Sequence, residues 1–223
     1  MLVFSSMALD RPIILHHAFE LLNDAGLEGL TLRRLAGRLN VKAPAIYWHF
    51  KDKRDLLDEM ATQVLRESME ESASLDKLSD WREWAAASYA GLRKILLRYR
   101  EGAKMFSGTY LTDAELFAPM EANLRRLTCA GFTLRQAVVG LGALYSYTVG
   151  FVIEEQATQL APGEPNPQYD LAARERRVNK ELYPLASAAG AEMFLNHDER
   201  FTEGVAVILS GLATVHSAPN GSH

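Results

Sequence analysis

The side chains with recognisable chemistry crowd one end of the chain. Residues 1–54 carry eight Lys/Arg (Arg11, Arg33, Arg34, Arg38, Lys42, Lys51, Lys53 and Arg54) against five acids, a balance of +3. The remainder carries 16 against 23, a balance of −7, in a 223-residue chain of net charge −4. A positive end on an acidic body suits a molecule that meets phosphate with one end and keeps the rest away from it. Reaction chemistry has no comparable footing. His16, His17, His49, His197 and His216 stand in no helical motif with a nucleophile or paired carboxylates, so no catalytic residue and no enzyme activity are expected. Cys129 is the one cysteine. It excludes an internal disulfide, fits a reducing cytoplasm, and leaves no Cys/His cluster for zinc, so neither a metal nor a cofactor is expected.

The elements that must position those cations read as helices throughout. With 48% hydrophobic and 23% charged residues the composition is that of a globular protein, and no apolar run is expected to reach the length of a membrane span. Ile14, Ala18, Leu21, Leu22 and Ala25 fall on one face of a helix over 11–25 that Gly26 ends. Thr31 is placed to cap a second helix with Leu32, Leu35, Ala36 and Leu39 inside, and Asn40 to close it in the left-handed conformation. Pro44 opens a short third helix, and Asp52 caps a fourth with the stripe Leu56, Leu57, Met60, Val64 and Leu65. Two short helices joined by a tight turn, with the small Ala36 at their crossing, form either a helix-turn-helix or an ordinary helical hairpin. Further helices are expected near 79–99, 112–128, 133–156 and 197–215. Residues 157–180, with three prolines, read as a mobile loop leading into a helix near 170–188. MLVFSSMALD is not read as a secretion signal, Met7 is an alternative start, and residues 217–223 read as a disordered tail.

The stretch GLTLRRLAGRLNVKAPAIYWHFKDKRDLLDEM (Gly29–Met60) resembles the DNA-binding domain of the TetR family of transcriptional regulators, and within it the tetracycline-repressor type. YREGAK (99–104), Gly108 with Thr109, Gly131 with Phe132, VGFVIEEQ (149–156) and the segment from Phe201 to Leu212 extend the likeness over most of the chain. The resemblance implies an all-α fold: a helix-turn-helix domain over 7–54, and a helical ligand-binding and dimerisation domain over 55–216. It implies a homodimer on palindromic double-stranded operator DNA, with the helices near 133–156 and 197–215 packed across the two-fold through Gly140, Gly142, Ala143, Gly204, Ala206, Gly211 and Ala213. Residues 42–49 become the reading surface, and Arg33 the arginine that reaches a guanine. Where such repressors carry a base-reading glutamine this chain has Ala43, which offers only a methyl group, so a different operator is expected. Pro44 and Ala45 can pack on thymine methyls, and Lys42 can add a base or phosphate contact. Tyr47 and His49 would donate to phosphate, Trp48 would pack at the DNA edge, and Lys51 and Lys53 would anchor phosphates. Thr31 would cap and touch phosphate as well.

The resemblance also implies a small-molecule site, which in the tetracycline repressors holds a magnesium chelate through imidazole and glutamate. Those imidazole positions fall here at Phe106 and near Met69, and Glu154 remains, so a magnesium site is not expected. The expected lining is Met69, Leu92, Phe106, Tyr110, Val138, Leu141 and Tyr145 around Ser88, Thr109, Asn123 and Glu154. It suits a small, hydrophobic, aromatic ligand, unless the same residues simply fill a core. Two other readings stand beside it: release by tetracycline with magnesium, and a DNA-binding regulator with no inducer.

Overall fold

Most helices of the chain start at a side chain that accepts otherwise unpaired amides. In the computed structural model, which describes residues 9–110 and 112–217, Asp10 accepts from Ile13, and Thr31 from Arg34. Asp52 does the same for Asp55, Asp80 for Arg82, and Asp170 for Ala173. Thr133 and Gln136 cap each other reciprocally. The helices are α1 (Arg11–Gly29), α2 (Leu32–Arg38), α3 (Ala43–Tyr47), α4 (Lys53–Ser72), α5 (Trp81–Leu96), α6 (Gly102–Phe106), α7 (Phe117–Cys129), α8 (Leu134–Ala157), α9 (Leu171–Arg177), α10 (Pro184–Phe194) and α11 (His197–Ser217). The expected start at Met7 and tail at 217–223 lie outside the described residues, apart from the last residue of α11.

Gly26 breaks α1 at φ 67°, and Asn40 turns the chain between α2 and α3 at φ 53°. Three expectations need correction. The region 157–180 is an ordered hairpin, β1 (Gln159–Ala161) on β2 (Glu164–Pro165), that leads into α9. Asn166 closes it with hydrogen bonds to the carbonyls of Thr158 and Ala157. The single helix expected near 170–188 is two, because the Asn179 side chain accepts the amides of Glu181 and Leu182 in a turn and Pro184 then opens α10. Finally, α8 is long and apolar enough, by length and composition, to cross a membrane. It has two apolar faces rather than one. One packs on α5 and α11 through Leu144, Val149 and Val152, and the other presents Val138 and Val139 outward.

One core runs from the N-terminal helices into the body. Ile14, Leu22, Leu35, Ile46, Phe50 and Leu56 join Met60 and Val64 of α4, and these continue into Ile95, Leu96, Met105 and Phe106. A second cluster, Trp84, Leu144, Phe201, Val205 and Leu209, binds α5, α8 and α11. The Arg93 guanidinium adds a charged tie between them, pairing with Glu155 and Asp198 at 2.7 Å each. Two of the glycines expected at a dimer seam work within the chain instead: Gly140 lies against Leu212 and Gly204 against the Tyr147 hydroxyl. Gly142, Ala143, Ala206 and Gly211 face outward.

Gly102 follows Glu101, whose φ is 53°, and a Cβ there would collide with the Leu96 carbonyl oxygen. Because that neighbour is backbone, Gly102→Ala is expected to cost about 1–3 kcal/mol. The measurement is urea unfolding of the purified variant, where an unchanged midpoint would contradict the packing described.

Candidate functional site

Leu32, Leu35 and Ala36 anchor α2 in the core, and the opposite face carries its arginines. Two of the three are occupied. Arg34 donates to the Gly29 carbonyl at 3.1 Å, and Arg38 is held by Glu20 and Asp24 of α1. The hydrogen bond from His17, and then that from Arg38, holds the Glu20 carboxyl below the usual carboxylate range. Arg33 is exposed and makes no hydrogen bond or ion pair among the described residues.

The turn at Asn40 delivers α3 beside that guanidinium, with Ile46 and Phe50 buried beneath it. On its outer side Lys42 and Pro44 are exposed, Ala43 and Ala45 half-buried, and Tyr47 and Trp48 are 54% and 88% exposed. An indole in that position contributes nothing to the core. His49 is half-buried and Lys51 exposed. The side chains of Lys42, Tyr47, His49 and Lys51 have no hydrogen-bond partner among the described residues. Two expected phosphate contacts are otherwise engaged. Thr31 Oγ1 accepts the Arg34 amide at 3.2 Å, and Lys53 Nζ donates to the Leu27 carbonyl. Lys53 is therefore first a tether between α4 and the last turn of α1.

Twelve residues beyond Lys53, at Leu65, α4 enters the wall of a cavity of about 530 Å³ that it shares with α5, α6, α7 and α8. Leu65, Met69, Trp84, Tyr89, Leu92, Phe106 and Tyr145 give it an apolar, aromatic lining, and Ser68, Ser72, Ser88, Thr109 and Asn123 its neutral polar points. Asp76 stands at the rim. The Thr109 hydroxyl donates to the Phe106 carbonyl at 2.7 Å and the Tyr89 hydroxyl to that of Leu141 at 2.9 Å. Burial pushes the phenols of Tyr89 and Tyr145 up from their ordinary value, so both stay neutral at physiological pH.

Of the expected lining, Met69, Ser88, Leu92, Phe106, Thr109, Asn123 and Tyr145 meet here. Four residues do not. Tyr110 is 75% exposed, its amide drawn to Asp58 of α4. Val138 is 51% exposed on the outer face of α8. Leu141 packs with Trp81, Phe132 and Leu212. Glu154, about two and a half turns beyond Tyr145 on the same helix, is turned to the opposite side, beside Phe151 and His197. No group of three His, Cys, Asp or Glu side chains able to hold a metal occurs among the described residues.

The profile of "Bacterial regulatory proteins, tetR family" matches residues 14–60, and that of "Tetracyclin repressor-like, C-terminal domain" matches residues 75–216. The chain belongs to the TetR family. This TetR-family chain is 37% identical to the class C tetracycline repressor protein of Escherichia coli, over 95% of this chain and 94% of that one. It is 39% identical to the class A repressor from transposon 1721 in Escherichia coli, over 90% and 88%. Among solved structures, a possible TetR family transcriptional regulator from Streptomyces coelicolor A3(2) superposes with a TM-score of 0.81 at 33% identity, covering 92% of this chain and all of that one. TetR from Acinetobacter baumannii AYE superposes at 0.72 with 32% identity, covering 95% and all. The protein is a DNA-binding transcriptional repressor with an all-α fold, and not an enzyme.

The TetR-family frame also shows which residues sequence reasoning missed. Trp84 stands four residues before Ser88 and eight before Leu92, so extending that α5 spacing by one turn would have found it. Tyr89, Leu65 and Ser68 lie beside expected residues on the same helices. Pro119 and Ala122 carry no sequence signal beyond their place near Asn123.

An unpartnered guanidinium on the second helix and an unpartnered ammonium beyond the third should act differently on DNA. Against duplexes selected from a random pool, Arg33→Ala is expected to lose about 1–3 kcal/mol concentrated at one base pair. Lys51→Ala should weaken all duplexes alike and flatten the salt dependence. Fluorescence anisotropy over single-base-pair variants separates the two patterns. Equal losses at every position for Arg33→Ala would remove its assignment.

Proposed function

We propose that this repressor binds a palindromic operator as a homodimer in the cytoplasm and is released when a small, largely hydrophobic, aromatic molecule enters the cavity between α4, α5, α7 and α8. One observation carries the reading. The chain leaving the cavity at Thr109 is laced to three successive turns of α4. The Tyr110 amide donates to Asp58 at 2.8 Å, the Thr112 amide to Thr62 at 3.0 Å, and Arg66 donates to Asp113 at 2.8 Å. Helix α4, 20 residues and about 30 Å long, begins beside α3, so a displacement at the cavity wall reaches the reading surface as a rotation.

A dimer supplies the second half-site, at a spacing of about 34–36 Å on the duplex. The outward apolar residues of α8 and α11, Val138, Val139, Val207 and Val215, with the small Gly142, Ala143 and Ala206 among them, support these two helices as the seam. The division at the start of α4 into a DNA-binding part and a ligand-binding, dimerising part belongs to the same proposal. Release follows from linkage. A ligand that prefers the dimer shape with the wrong half-site spacing lowers operator affinity by the ratio of its two affinities, and a hundredfold loss needs about 2.7 kcal/mol of preference.

Tetracycline with magnesium is the second reading. It is favoured by the tetracycline repressors among the relatives and by a class A TetR solved with an anhydrotetracycline and magnesium. The donor set here does not fit the ion: Phe106 offers no ligand atom, and Asp76 is the only carboxylate of the cavity lining among the described residues.

The test is a labelled operator duplex titrated with a library of planar aromatic compounds, beside sedimentation of the free protein. Dimers released by at least one member are expected; a monomer, or a dimer that none displaces, would end the proposal. Met69→Trp, which fills the cavity end of α4, is expected to raise the concentration of an active compound needed for half-release at least tenfold, with operator affinity before addition serving as the control for folding.

A further inference from the structure

Among the described residues the lining holds four aromatic rings, Trp84, Tyr89, Phe106 and Tyr145, but no lysine, arginine or histidine, and its one charged side chain is the rim carboxylate of Asp76. We infer that the cavity takes its aromatic ligand free of metal ion, as an uncharged molecule or one bearing a single cationic amine, and rejects the same scaffold carrying a carboxylate. The inference rests on the proposed function and adds to it the charge class of the ligand.

Three observations point the same way. A buried carboxylate needs a cation or several strong donors, and the Arg126 guanidinium behind Trp84 is already committed. Arg126 donates to the Leu78 and Asp76 carbonyls, lies 3.5 Å from the Asp76 carboxylate, and sits over the Trp84 ring at 5.1 Å. It does not itself line the cavity. Secondly, the electron-rich faces of the four rings attract a cation and repel an anion. The phenols of Tyr89 and Tyr145, pushed by burial above their ordinary value, add hydroxyl dipoles and no countercharge. Thirdly, a hard divalent ion takes oxygen ligands, and a chelate brought in by the ligand is ordinarily fixed to the protein by one or two carboxylates beside its remaining waters. Phe106 supplies a hydrocarbon ring at the wall, and Asp76 is 79% exposed and shared with Arg126.

The experiment uses the full-length protein and three probes on one ring system: aminomethyl-, hydroxymethyl- and carboxy-anthraquinone, respectively cationic, neutral and anionic at neutral pH. Calorimetric titration is run with EDTA and again with excess magnesium. The neutral and cationic probes should bind at least tenfold more tightly than the carboxylate, with no more than a twofold change on adding magnesium. Asp76→Asn should lower affinity for the cationic probe and leave the neutral one unchanged. Leu92→Trp, whose indole would occupy the cavity, should abolish binding of all three and so locate them. Carboxylate binding as tight as the neutral probe, or binding only with magnesium, overturns the inference and leaves the proposed function standing. Binding by none of the three overturns both.

Discussion

Leu27 is gripped at both of its backbone groups, and the orientation of the DNA-binding end depends on that grip. Gly26 breaks α1 one residue earlier, which takes the Leu27 amide away from an ordinary helical partner. The amide donates instead to Glu101 Oε2 at 2.7 Å, and the Leu27 carbonyl accepts from Lys53. One bond comes from the turn before α6, the other from the first residue of α4. The Arg100 amide adds a third by donating to Asn23 at 2.9 Å. The turn that offers Glu101 is itself held by Gln156 of α8, whose side chain accepts from Ala103 and donates to the carbonyls of Leu96 and Tyr99. Hydrogen bonds thus run from the long bundle helix to the base of the reading surface without passing through the cavity.

The N-terminal helices therefore have two attachments to the body, with different character. The Leu27 joint is polar and short. The contact along α4 is a shared apolar core that continues from Leu56 to Phe106. The polar joint fixes the end of α1 by directional bonds, and the close-packed core resists deformation along α4. Arg38, clamped by Glu20 and Asp24, makes α2 travel with α1.

Much of this was legible in the residues. The caps at Thr31 and Asp52, the turn at Asn40 and the break at Gly26 are local chemistry, and the apolar stripes of α1, α2 and α4 are wide enough to read. Helix α6 was not, because its five residues follow a non-glycine in the left-handed conformation, and Gln156, far off in sequence, holds the turn. The hairpin and the division between α9 and α10 depend on single asparagine side chains, which look alike in any loop. In the cavity, spacing placed Val138, Leu141 and Tyr145 on one face, but that face is divided among neighbours. Tyr145 meets Phe106, with ring centroids 6.1 Å apart, Leu141 meets α7 and α11, and Val138 meets none of them. Periodicity says which residues share a side of a helix and not which neighbour each will find.

Arg33, Lys42 and Trp48 do no packing that the rest of the fold relies on, whereas Phe106 and Leu92 are at once cavity wall and core. The two specificities are thus under unequal evolutionary constraint. Under the proposed function, operator preference can drift by single substitutions at little loss of stability, but a new ligand must be accommodated by residues that also hold the body together. Descendants of this chain should diversify in the DNA they address sooner than in the molecule they answer to.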